Sequence, residues 1–197
     1  MERTDLGRII AFSDGVIAVA ITLLVLNLEV PVLPSGRVDE LDDKLFDLLP
    51  SLAAYALAFA LVGRYWVIHH RFFERLRAFD GRLMALNLAF LALIALMPFS
   101  TDLADRYNKE PIATAVFGAT LGVAALVHLA MIRHALSGEL FHEERRLTGE
   151  PFGGAITLAL AAVFLVSVPL AFLSTLLAHL VWLSAIVVRY PFRRFGE

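Results

Sequence analysis

The chain has 197 residues, no cysteine and a net charge of −2; 59% of it is hydrophobic, with a mean hydropathy of +0.74. Soluble domains average about 45–50% apolar residues, so the composition excludes an ordinary soluble domain and marks an integral membrane protein with room for several spans and no sizeable domain outside them. Without cysteine, disulfides, thiolate metal sites and thiol catalysis are excluded.

The N-terminus, MERTDLGR, carries charge of both signs and no small-residue cleavage site, so the first apolar run is expected to stay as a span rather than leave as a signal peptide. That run, 9–28, sits in RIIAFSDGVIAVAITLLVLNLEVP (8–31). Acidic residues are disfavoured at membrane depth by roughly 2.5–3.5 kcal/mol at a helix centre, so Asp14 needs a partner, water or a function. Ser13-Asp14 could serve as an N-cap. A helix over 15–30 would then be about 24 Å long at 1.5 Å per residue, short of the ~30 Å hydrocarbon core. The helix is therefore expected to start earlier and to carry Asp14 inside it. Arg8 falls on a different face and is a poor partner for Asp14 on the same helix. Val19, Leu23 and Leu26 follow at i, i+4, i+7, within an arc of about 60°. Thr22 lies beside that arc and Asp14 well away from it.

A span needs about 20 mainly apolar residues. After a polar loop bracketed by Pro31 and Pro34, the second is predicted at 45–68, with Pro50 in its first turns, where a missing N–H costs least. The segment 69–82, HHRFFERLRAFDGR, reads as an interfacial helical turn anchoring Phe72, Phe73, Leu76 and Phe79 on the headgroups. The third span, 83–103, holds Asn87 and, near its end, Pro98. The fourth is 111–132, with Pro111 suited to a first helical position. A charged loop of mixed sign leads to the fifth and sixth, 151–168 and 169–188, or to one kinked region in their place. No internal repeat is visible.

Six spans put both termini on one side with Arg3, Arg8, Arg71, Arg75, Arg77, Arg82, Arg133, Arg145, Arg146, Arg189, Arg193 and Arg194, against Arg37, Lys44, Arg106 and Lys109 opposite. The positive-inside rule makes that side cytoplasmic, and the expected location is the cell inner (plasma) membrane. On the same side, His69 and His70 end the second helix and Asn87 lies about one turn into the third. Asp14 and Ser13 are expected to bond to this cluster, with Trp66 packing nearby; the alternative is that the histidines are polar helix ends in the headgroup layer. Adjacent histidines diverge and make a poor metal pair, and His128 and His179 suit interhelical hydrogen bonds. The Arg71–Arg82 run is too short a strip for nucleic acid.

RxxxFSD at Arg8, Phe12, Ser13 and Asp14, followed by GVIAVAITLLVLNLEVP, resembles the first-helix signature of the transmembrane protein 175 family. The stretch 66–101, WVIHHRFFERLRAFDGRLMALNLAFLALIALMPFST, is similar to that family's second and third helices. The resemblance implies a potassium-permeable channel without a TVGYG filter, its pore lined by the first helix. One signature per chain implies the bacterial form, a homotetramer of six-helix subunits. By position, the narrowest apolar ring falls on Val19, where larger Ile or Leu is usual. Further rings fall on Leu23 and Leu26, and the selectivity-related threonine on Thr22.

The expected fold is thus all-α and integral to the lipid bilayer, with the first helix lining a tetrameric pore for potassium ions. No cofactor and no enzymatic activity are expected, since no nucleophile–base or metal motif occurs. The alternative function is a secondary transporter or proton-conducting pathway, whose usual marks are inverted repeats, broken helices and a midplane carboxylate.

Overall fold

A computed structural model describes residues 3–35, 37–142 and 154–187. The described residues are helical throughout, apart from short 3-10 turns, loops and an isolated antiparallel bridge between Leu76 and Phe141. Helix α1, Arg3–Leu23, runs straight through Ser13-Asp14 and passes into a 3-10 turn, Leu24–Asn27. Asp14 is therefore inside the helix, as the length of the hydrocarbon core demanded. The loop after it is not wholly irregular: a 3-10 turn at Val38–Glu40 leads into α2, Leu41–Asp47. Then come α3, Leu49–Phe73; α4, Gly81–Ala95; α5, Met97–Arg106; and α6, Pro111–Ser137. Two further helices follow, α7 at Gly154–Leu173 and α8 at Thr175–Val187.

Among the described residues, five stretches are long and apolar enough to cross a membrane: α1 with its 3-10 turn, α3, α4 with α5, α6 and α7. The third span is thus two helices in one crossing. It breaks at Leu96 because Pro98, in the first turn of α5, has no N–H to continue the ladder of α4. Helix α6 is the most enclosed of the spans, packing along α7, α4 and α5, while α1 lies against α3 and α4.

Three boundaries differ from those expected. The break between the fifth and sixth spans falls at Ser174, not at 168/169. Pro169 is inside α7, as prolines are tolerated in membrane helices whose neighbours re-satisfy the freed backbone. Ser174 instead takes the capping role, its Oγ accepting from Leu177 N–H at 3.4 Å. Of the sixth expected span, residues 169–173 belong to α7, and the described part beyond Ser174 is the 13-residue α8, shorter than the five crossings; residues 151–153 and 188 of the expected spans lie outside the described residues.

The second span starts later and ends later than 45–68, and three of the four apolar residues expected to anchor 69–82 on the headgroups are enclosed by protein, with Phe79 half-buried. Phe72, Phe73 and Leu76 are buried, at 3%, 1% and 2% exposure. Their helix continues to Phe73, and Phe72 meets Phe141 edge-on at 5.8 Å. The following residues fold inward onto the end of α6: Arg77 N–H donates to Leu140 O (2.8 Å) and His142 N–H to Arg75 O (3.2 Å). Apolar side chains at helical spacing met protein here rather than lipid.

Gly118 and Gly122, a helical turn apart on α6, let α7 come close. A Cβ on Gly118 would lie 2.5 Å from Ser167 Oγ, and one on Gly122 would lie 2.7 Å from Leu165 Cδ2. This is the close approach that small residues permit between membrane helices. Ser167 cannot swing aside freely, because its hydroxyl donates to Phe164 O (2.6 Å) and accepts from Trp182 Nε1–H (2.8 Å). Gly118→Ala is expected to cost about 1–3 kcal/mol, the range for overpacking, and Gly122→Ala less, since Leu165 is a flexible side chain. Thermal unfolding of the purified variants in detergent checks the order.

Candidate functional site: the first helix and its anchors

Helix α1 has two faces. Ile17, Ala20 and Leu24 are buried, at 1%, 2% and 0% exposure, while Val19, Leu23 and Leu26 are exposed, at 57%, 42% and 70%. The alternation follows from helical spacing: 17, 20 and 24 share the face that meets α3 and α4, and 19, 23 and 26 the opposite one. The 3-10 turn keeps the outer part of the stripe straight, since side chains three apart eclipse in a 3-10 helix, which aligns Leu26 above Leu23. Phe12, also exposed, and Gly15 extend this face toward the N-terminus, beside a cavity of about 450 Å³ that also touches Val19, Leu23 and Ala95. Thr22 is exposed; its hydroxyl donates to Val19 O at 2.8 Å, leaving only oxygen lone pairs to face outward.

The residues expected to hold α1 come together on its other side. Asp14 Oδ1 accepts from Trp66 Nε1–H at 2.8 Å, so Trp66 is a direct partner of the carboxylate and not only a packing neighbour. Asp14 Oδ2 faces His70 Nδ1 at 3.4 Å, an ion-pair distance rather than a made hydrogen bond. Ser13, fully buried, accepts at Oγ from Asn87 Nδ2–H (3.0 Å), and Asn87 Oδ1 lies 2.8 Å from His69 Nε2. Because an amide oxygen can only accept, His69 carries its proton on Nε2. The chain Ser13–Asn87–His69 thus has one direction and ties α1 to α4 and α3 through residues that are 0%, 0% and 1% exposed. In such an environment an unmade hydrogen bond is costly. Arg8 is exposed and outside this network, beside Ile9, Phe12, Phe79 and Met84.

Two groups of anchors were not anticipated. At the far end of α1, Asn27 Nδ2–H donates to Pro98 O at 3.0 Å, and Arg106 joins Glu29 (2.7 Å) to Asp102 (2.8 Å). Asn27, the polar residue that ends the apolar run, and Pro98, which breaks the third span, were the available signals. Both ends of the exposed stripe are therefore pinned. His128, expected to bridge helices, lies 3.4 Å through Nδ1 from Thr157 Oγ1 on α7. His179 instead sets its ring edge-on to Trp182 at 4.7 Å.

On the side where α1 begins, Asp80 caps α4 by accepting from Leu83 N–H at 2.8 Å, and it also bonds His134 Nε2 on α6 at 2.8 Å. The Leu83 amide first, and His134 with it, hold the Asp80 carboxyl below its usual pKa. A depressed carboxyl contributes stability above its unfolded pKa, near 3.9, and loses it as the pH falls through the folded value. Asp80→Ala is therefore expected to unfold more easily than the parent at pH 7, by ~1 kcal/mol as for a lost N-cap. The difference should close on acidification below about pH 4. Paired melting curves at pH 7 and pH 3 test this.

A family profile described as "Endosomal/lysosomal potassium channel TMEM175" matches residues 8–98, the stretch that holds the exposed stripe and every residue of the Asp14 and Ser13 network. A potassium channel of Streptomyces collinus is 38% identical over 142 residues, 68% of this chain and 67% of that one. A potassium channel of Chamaesiphon minutus is 33% identical over 178 residues, 85% of this chain and 88% of its own length. The chain belongs to the TMEM175 family. Its fold agrees with the crystal structure of a lysosomal potassium-selective channel TMEM175 homolog from Chamaesiphon minutus, with a TM-score of 0.80 and 30% identity over 94% of this chain and 96% of that one. The endosomal/lysosomal proton channel TMEM175 of Gallus gallus is 25% identical over 126 residues, a quarter of its length. The family match covers α1, α3 and α4 most directly, the helices joined by the Ser13–Asn87–His69 and Asp14–Trp66 bonds.

Proposed function

We propose that the chain forms a potassium-selective, leak-type ion channel: a homotetramer of six-helix subunits in the cell inner membrane, both termini cytoplasmic, with α1 on the axis. The observation that carries this is the exposed Val19–Leu23–Leu26 stripe, straight and apolar, on a helix held by buried and half-buried polar bonds on its opposite face. A single stripe per subunit cannot surround a pore, so about four copies meet around it. The bacterial relatives named as potassium channels support the same reading. The neck works without a cofactor and without covalent chemistry. A narrow apolar ring holds water poorly and gates by dewetting; an ion passing it sheds part of its shell, which penalises sodium more than the weakly hydrated potassium.

Assembly is tested by cross-linking Val19→Cys, against a background free of native cysteine. Disulfide-linked dimers in the membrane are expected, with none from a lipid-facing control; the reverse pattern removes α1 from the axis. Permeation is tested by passive potassium flux into liposomes that carry the purified chain. Current proportional to the driving force supports a channel, and saturable coupled exchange a transporter. A proton pathway is the second reading, favoured by the vertebrate relatives named as proton channels. A pH-sensitive dye in the same liposomes separates it from potassium flux.

A further inference from the structure

Two imidazole nitrogens remain deep in the bundle after the network on α1 has been accounted for. His69 Nδ1 and His128 Nε2 are buried and have no hydrogen-bond partner among the described residues, in side chains only 1% and 2% exposed. Their rings are neighbours, with centroids 6.2 Å apart, and both pack on Phe90, at 5.0 Å and 5.6 Å. Buried polar atoms without a partner are rare, and each is costly.

The chemistry of the two atoms is complementary. His69 donates through Nε2 to Asn87 Oδ1, so its Nδ1 is a bare lone pair that only accepts. If Thr157 donates to His128 Nδ1, the Nε2 of His128 carries a proton; if Nδ1 donates to Thr157, it does not. One water satisfies either state: it donates to His69 Nδ1 and either accepts from, or donates to, His128 Nε2. Buried waters take this bridging role. The ring separation leaves the two nitrogens without a direct bond.

We propose that a single buried water joins His69 to His128 and completes a relay, Thr157–His128–water–His69–Asn87–Ser13, that runs from α7 through α6, α3 and α4 to α1. His128 is then a positioning residue: it acts through His69 and Asn87 on the helix that carries the apolar stripe. Its consequence for permeation rests on the channel function proposed above; the relay itself does not.

The test uses the full chain in lipid bilayers with ¹⁵N-labelled histidine and solid-state NMR, the His69 ring being assigned through its contact with the Asn87 side chain. The expected result is an unprotonated but hydrogen-bonded His69 Nδ1 that receives magnetisation from water. This signal should move to that of a free lone pair in His128→Phe, which keeps an aromatic ring against Phe72 and Phe90, and should be regained in His128→Gln. In His128→Phe the Trp66 indole N–H should also exchange about threefold faster, the size of a typical interhelical hydrogen bond in a membrane. A protonated His69 Nδ1, or one without contact to water, overturns the relay from the parent protein alone, even if the variants fail to fold. An unchanged His69 signal in folded His128→Phe overturns it as well. Potassium flux measured on the same samples reports separately on the channel function: lost flux in a parent with an intact relay removes that function and leaves the relay standing.

Discussion

Leu23→Asn and Val19→Ala are expected to raise potassium current through reconstituted protein, each on the order of tenfold, which corresponds to about 1.4 kcal/mol off the barrier. Both residues are exposed on the stripe of α1 and make no polar contact there. In the proposed pore, an amide at position 23 would wet the neck and a smaller side chain at 19 would widen it; either lowers the cost of keeping an ion hydrated. Leu26, the most exposed of the three, sits in the 3-10 turn above Leu23, so Leu26→Asn should act in the same direction. Thr22 has a different part. Its proton is committed to Val19 O, so only its oxygen can face a cation, and Thr22→Val should lower potassium preference over sodium while leaving the helix intact. Bi-ionic reversal potentials and currents at equal protein yield measure both effects. Unchanged current and selectivity across all four variants would move the pore off this face.

Replacing Asn87 by leucine is expected to be the most damaging single change to the support of α1. The change strips Ser13 Oγ of its donor and His69 Nε2 of its acceptor. Each orphaned group costs about 1–3 kcal/mol when buried, and bulk solvent does not compensate them, since both side chains are at most 1% exposed. Ser13→Ala should cost less, because it orphans only the Asn87 amide. Asp14→Asn should be milder than Asp14→Leu: an asparagine oxygen still accepts from Trp66 Nε1–H, and only the approach of His70 is lost. Expression and thermal stability of the four purified variants give the ranking. If Asn87→Leu matched the parent while Asp14→Asn abolished folding, the buried bonds at Ser13 would not be what holds α1.

Much of the arrangement around α1 could be read from spacing alone. The i, i+4, i+7 pattern at Val19, Leu23 and Leu26 needs only the helical period, and the start of the helix ahead of Asp14 follows from the thickness of a bilayer. The partners of Asp14 and Ser13 were narrowed to Trp66, His69, His70 and Asn87 by placing each near the same membrane side. What spacing could not supply was which atom meets which: that Trp66 donates to Asp14 while Asn87 serves Ser13 depends on how α3 and α4 rotate against α1.

The amino-acid order by itself determined that this is a helical membrane protein, roughly where its helices cross, and that Val19, Leu23 and Leu26 share one face of the first, because these depend on local composition and on a fixed period of rotation per residue. Only the tertiary structure decided that Phe72, Phe73 and Leu76 turn inward, since an apolar side chain at the membrane edge is equally satisfied by lipid or by protein and its sequence is the same in both cases. Likewise it decided that Pro169 stays within α7 and that Ser174 makes the break, because a proline's lost hydrogen bond can be tolerated where neighbouring helices pack closely. The pinning of the far end of α1 by Asn27 on Pro98 and by Arg106 on Glu29 joins residues far apart in the chain; such pairs exist only once α1 and α5 lie side by side, and no local pattern announces them.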